Sequence, residues 1–270
     1  MAEVLLLGED KTHAVLMGVL LRKVVQMAAV SASADWLLDG LELHVTLRGH
    51  EDLGEIVAGL RYTTTGQRFD VLGPNGQPIR LRPLRKADGT PSGPEVTRWR
   101  HVFLSVLQEP RPDAVLVAKD TDGKPDSVAG LRQVVDHLRK EFPSIPLVIA
   151  APDQDAEGWL VAGFLPTSPE ERERLDGLCR DLSIHPTHRP ELLTAHPNDA
   201  PRDAKRVLRR LLDLGDESRP LDPDELRDHH ERLLSDLPRL RQQGAETGLP
   251  GFLDDLHVHL VPLWLGEQRG

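Results

Sequence analysis

The sequence predicts an α/β fold: a mainly parallel sheet flanked by helices, followed by a helical C-terminal region. Three observations carry this. Apolar runs of strand length recur at residues 3–7, 113–118 and 147–151. Helix-length stretches follow the first two, at 12–29 and 125–141, and alternating β and α units imply parallel strands covered by helices. Beyond about Gly163 helical patterns dominate, at 168–182, 201–214, 222–243 and 251–265, separated by joints rich in Pro and His. The expected organisation is an α/β domain over 1–163, with a hairpin and loop inserted near 41–94, and a helical extension over 164–270.

Each element has a local reason. Glu3-Val4-Leu5-Leu6-Leu7 is a nearly continuous apolar run, as a buried strand requires. The stretch from Thr12 to Ala29 is apolar except at Arg22-Lys23 and Gln26, which suits a helix packed on that strand. Leu41 to Arg48 alternates apolar and polar residues, the pattern of a half-exposed strand. Asn75-Gly76 centres a hairpin over 67–84, and the Pro and Gly residues of 86–94 make a loop before a helix at 95–107. Pro125-Asp126-Ser127 opens the next helix, and Pro143 and Pro146 punctuate before the strand at 147–151.

Composition narrows the function classes. No apolar stretch is expected to span a bilayer, and Met1-Ala2-Glu3-Val4 lacks the basic region of a secretory signal, so a cytoplasmic protein without membrane association is expected. Cys179 is the lone cysteine, which excludes an internal disulfide and an all-cysteine metal site. The net charge of −10 argues against nonspecific nucleic-acid binding by the whole surface. Local basic segments remain: Arg80, Arg82, Arg85 and Lys86, and then Lys205, Arg206, Arg209 and Arg210, a nucleic-acid or partner contact if it is not simply a solvated face. No Walker A sequence is present, so ATP hydrolysis by that route is not expected.

Two acidic elements stand out. Leu5-Leu6-Leu7-Gly8-Glu9-Asp10 and Asp113-Ala114-Val115-Leu116-Val117-Ala118-Lys119-Asp120-Thr121-Asp122 are both apolar runs ending in carboxylates. Strands that deliver acids at their C-terminal ends are how open α/β sheets build sites. Two like charges about 4 Å apart repel by about 4 kcal/mol at an effective dielectric near 20, so clustered acids call for a cation. Carboxylates without Cys or His favour Mg²⁺ or Mn²⁺. A third element, Pro152-Asp153-Gln154-Asp155-Ala156-Glu157-Gly158-Trp159-Leu160, adds Asp155 and Glu157. The bland readings are a loop cap before Pro125 for Asp120 and Asp122, and a helix first-turn charge for Glu9, Asp153, Asp155 and Glu157. Trp159 reads as core.

Glu9, followed in order by Asp120-x-Asp122 and by the Asp155/Glu157 pair before Trp159-Leu160, resembles the toprim fold shared by topoisomerases, primases and overcoming-lysogenization-defect nucleases. Ala200-Pro201-Arg202-Asp203-Ala204-Lys205-Arg206-Val207-Leu208 looks like a helical segment of one bacterial branch of that family. Two positions depart from the pattern: Asp10, where Gly is common, and Lys119, where a small or apolar residue is usual. The resemblance implies that Glu9, Asp120 and Asp122 hold Mg²⁺ or Mn²⁺ and that Glu9 also acts as general acid or base; Asp155 and Glu157 extend the acidic set. It further implies phosphodiester chemistry on nucleic acid, in an antiphage or genome-maintenance setting beside an ATPase partner. The alternative is a non-catalytic toprim-like subunit docking on such an ATPase or another effector.

Overall fold

The computed structural model describes residues 2–8, 11–39, 41, 45–52, 71–72, 78–79, 94–107, 111–121, 125–194, 201–215 and 223–266. Strands β1 (Ala2–Gly8), β2 (Val45–Asp52), β5 (Ala114–Ala118) and β6 (Leu147–Ala150) form one sheet in the order β2-β1-β5-β6. All three pairings are parallel. β3 (Val71–Leu72) and β4 (Pro78–Ile79) pair antiparallel, Val71 opposite Ile79, as the Asn75-Gly76 signal predicts; residues 73–77 lie outside the described set.

Alternation along the central strands sorts side chains onto two faces. Val4, Leu6, Leu116 and Val148 face one core, with helix α1 (Lys11–Ser31). Leu5, Leu7, Val115, Val117 and Leu147 face the other, with α3 (Pro94–Val106) and α4 (Pro125–Glu141). A short helix α2 (Asp35–Leu38) follows α1 and buries Leu37. Helix α1 corrects one expectation. From Thr12 to Ser31 it is long and apolar enough, with mean hydropathy 1.6, to cross a bilayer. Here it is a core helix, with Leu16, Met17, Leu20, Leu21, Val24 and Val25 buried.

The helical region covers the α1 face. It comprises α5 (Glu157–Gly163), α6 (Pro169–Leu182), α7 (Ala204–Leu212), α8 (Pro223–Leu233), α9 (Leu237–Gln243), α10 (Leu249–Asp255), a π-helical turn (Leu256–Leu260) and α11 (Pro262–Leu265). Leu178, Leu211, Leu234 and Leu253 share one hydrophobic core with β1 and α1, so this region completes the sheet's cover. The expected helix over 222–243 is two helices. Asp236 caps α9 by accepting from the Arg239 N–H at 3.0 Å, with Pro238 in the first turn. At Gly163, α5 meets α8 backbone to backbone: a Cβ there would lie 1.9 Å from the Leu233 carbonyl oxygen.

Candidate functional site at the carboxyl edge of the sheet

The carboxyl ends of β1, β5 and β6 lie side by side, with Leu7 opposite Val117 and Ala118 opposite Ala150. β1 leads to α1 on one face, and β5 leads to α4 on the other. The boundary between these two strands is therefore the topological switch point, the place at which open α/β sheets bind ligands. Glu9 follows the last residue of β1 in the sequence, and Asp122 follows Thr121; both lie outside the described residues.

Asp120 lies two residues beyond β5 and is buried, 8% exposed. Its Oδ1 accepts from His13 Nε2 at 3.0 Å and from the Ala156 N–H at 3.1 Å. His13 comes from the first turn of α1 and is itself 3% exposed. These donors lie 107 and 36 residues away, so the carboxylate ties three elements together.

The loop from β6 to α5 is pinned on both sides. Thr121 N–H donates to the Pro152 carbonyl at 3.2 Å. Thr121 Oγ1 accepts from the Gln154 N–H at 3.0 Å and donates to Asp153 Oδ1 at 3.3 Å. Gln154 adopts φ +69°, a left-handed conformation that turns the chain before α5. On the other side the Asp153 N–H donates to Thr247 O at 3.0 Å, and Gly248, with φ +81°, sits so close that a Cβ would meet the Ala151 carbonyl oxygen at 2.8 Å. Trp159 is fully buried, donates from Nε1 to Thr247 O at 3.0 Å and stacks on Phe252 at 5.4 Å, so it is core, as expected.

This loop delivers Asp155 and Glu157 into the interior, each 4% exposed. Asp155 Oδ2 meets Lys205 Nζ at 3.3 Å. Asp155 Oδ1 is buried and has no hydrogen-bond partner. Burial holds the Glu157 carboxyl well above the ordinary range, and its hydrogen bond with Asp155 and the Asp155 charge push the same way. The Glu157 carboxyl is thus driven toward its neutral form. Burial works against the Lys205 ammonium, but Glu157, Asp155 and Asp120 outweigh it and raise its pKa. Lys205 thus supplies much of the positive charge that the acids demand.

The basic group on α7 needs correction. Lys205 turns into the acid cluster rather than forming an outward stripe. Arg209 is 1% exposed; its guanidinium donates to Leu214 O at 2.8 Å and lies 3.6 Å from Glu225. Arg210 donates to Asp181 at 2.6 Å. Arg206 is half-buried, and its backbone N–H donates to the Asp203 cap at 2.8 Å. The four side chains do not all face solvent, because Arg209 is turned inward; Lys205 reaches Asp155 with its side chain still 47% exposed. No local signal distinguishes Lys205 from its basic neighbours, since its acidic partner is fifty positions earlier in the sequence.

Among the described residues, no three His, Cys, Asp or Glu side chains are grouped to hold a metal ion. Comparison with protein-family models, with curated proteins and with solved structures finds no match to this chain.

Proposed function

We propose that this edge is the catalytic centre of a toprim-like nuclease that performs Mg²⁺- or Mn²⁺-dependent phosphodiester chemistry on nucleic acid. The observation that carries the reading is the burial of Asp120, Asp155 and Glu157 beyond the carboxyl ends of β5 and β6, with Lys205 reaching Asp155. The donor chemistry suits a hard cation: the oxygens are carboxylate, and Asp155 Oδ1 is buried without a hydrogen-bond partner. Asp120, Asp155 and Glu157 are not grouped to hold an ion by themselves, so Glu9 and Asp122 would have to complete the ligand set around Asp120. When bound, such an ion stabilises charge on a phosphate and activates water.

The protein's own groups have distinct parts. Asp120 is oriented by two donors on one oxygen. Glu157 carries a proton that it can release within the cluster, and the Lys205 ammonium can receive a phosphate oxygen in place of Asp155. With a net charge of −10 and an α7 that offers no basic stripe, substrate grip is weak for the chain alone. An ATPase partner in a cytoplasmic antiphage or genome-maintenance system would supply it.

One observation favours a second reading, a non-catalytic subunit that docks on such a partner. Lys205 already sits among the acids and offsets them as a cation would. Calorimetric Mn²⁺ titration, with nuclease assays on single- and double-stranded DNA and RNA at two salt concentrations, separates the two. The nuclease reading expects Mn²⁺ binding and weak, salt-sensitive cleavage, both lost in Asp120→Ala. Absence of both in the wild type, with and without a candidate ATPase partner, would favour the second reading.

A further inference from the structure

We propose that His13 is a positioning residue of this centre. Its Nε2–H, with the Ala156 amide, clamps Oδ1 of Asp120 and so fixes how that carboxylate is presented to the other acids. The inference rests on the metal-dependent reading given above.

The geometry has three parts. Both partners are buried, His13 at 3% and Asp120 at 8% exposure, and the contact is 3.0 Å. In either protonation state an imidazole that faces a carboxylate at this distance presents an N–H, so the donor atom is Nε2. The Ala156 N–H reaches the same oxygen at 3.1 Å from the lead-in to α5. Two donors on one oxygen, one from the α1 side and one from the α5 side, restrain the carboxylate's rotation and its plane.

The placement also matters. His13 lies in the first turn of the helix that follows β1, and Asp120 follows β5. The hydrogen bond therefore spans the two strand ends that flank the switch point. Replacing the histidine alone leaves the buried Asp120 carboxylate with one donor fewer, which costs stability by itself, so metal affinity rather than stability distinguishes a positioning role. A hydrogen-bonding group behind a ligating carboxylate changes metal affinity by about 10- to 100-fold.

The test uses the full-length protein, with free Mn²⁺ followed by electron paramagnetic resonance and the imidazole nitrogens by ¹⁵N-histidine NMR without metal. The wild type should show a protonated His13 Nε2 whose resonance moves in Asp120→Ala. His13→Leu should weaken Mn²⁺ binding about tenfold or more. His13→Gln, whose side-chain amide can place a donor near the same point, should stay within about threefold of the wild type, and His13→Asn, which is shorter, should not. If His13→Leu fails to fold, the Gln and Asn pair decides. Equal Mn²⁺ affinity in wild type and His13→Leu, equal losses in Gln and Asn, or an unprotonated Nε2 would overturn the positioning role while leaving the metal site in place. A wild type that binds no Mn²⁺ would instead remove the metal-dependent reading, and this role with it.

Discussion

Helices α5 and α6 each begin with a glutamate in the first turn, Glu157 and Glu171, and the two carboxyls are driven in opposite directions. A helix dipole favours both charges equally, by about 0.3–1 kcal/mol. Burial opposes the charge at both. At Glu171 it is overcome by the Thr167 N–H at 2.7 Å, by Arg232 at 2.6 Å and by the Thr167 hydroxyl at 2.9 Å, which bring its pKa down to about 2. At Glu157 burial dominates, and its neighbour is another acid. A glutamate in the first turn of a helix is thus a stable anion in one place and a proton holder in the other. Donors, rather than the helix, decide, and the site lies where donors are scarce and acids converge.

The largest way to break this contrast is to remove the ammonium that tempers the α5 acids. Lys205→Met leaves Asp155 buried beside Glu157 without its cation, and should cost about 2–3 kcal/mol in chemical denaturation at neutral pH, the penalty of a broken buried pair reduced by solvent because the Lys205 side chain is 47% exposed. Lys205→Met combined with Asp155→Asn should recover part of that loss. A destabilisation below about 1 kcal/mol would mean that water already screens the pair.

The next effect is a pair of opposite pH slopes. Glu171 has a depressed pKa, so its contribution is present above about pH 4.5 and lost as pH falls toward 2. Glu171→Gln should therefore be less stable than wild type at neutral pH, by about 1–2 kcal/mol after solvent screening, with the gap closing in acid. Glu157 has a raised pKa, so its contribution is full below about pH 4.5 and lost as pH rises through its folded value. Glu157→Gln should match wild type in acid and become the more stable protein as pH rises. Thermal melts across pH check both, and parallel curves for the two variants would erase the distinction.

The smallest effect isolates capping from charge. The Ser168 hydroxyl caps α6 by accepting from the Glu171 N–H at 3.2 Å. Ser168→Ala should cost about 1 kcal/mol. Equal losses at pH 7 and about pH 3 would assign its contribution to the cap; a loss that shrinks in acid with the Glu171 titration would assign it to charge.

Most elements were legible because their causes are local. The strand runs at 3–7, 113–118 and 147–151 and the helices at 12–29, 95–107 and 125–141 appear within a few residues of the expected bounds. Misreadings fell where packing or a cap overrode periodicity. The strand read at 41–48 is β2 at Val45–Asp52, whose register is set by pairing with β1. The helix read at 251–265 contains a π-helical turn at Leu256–Leu260. For the site, Asp120, Asp155 and Glu157 were readable as acids near strand and helix ends, whereas Lys205 read as surface and proved to be their cation.

What the sequence by itself determined is the class of fold and the residues with chemistry to offer, because apolar runs, prolines and caps act on their own neighbourhood. What only the tertiary structure decided is which of those residues meet: that β5 lies beside β1, that His13 reaches Asp120, and that Asp155 and Glu157 close on Lys205. Periodicity reports which side of an element is apolar, but a contact between residues fifty or a hundred positions apart exists only once the faces have packed. The charge state of Glu157 follows from that packing, since burial and an acidic neighbour are properties of the folded chain.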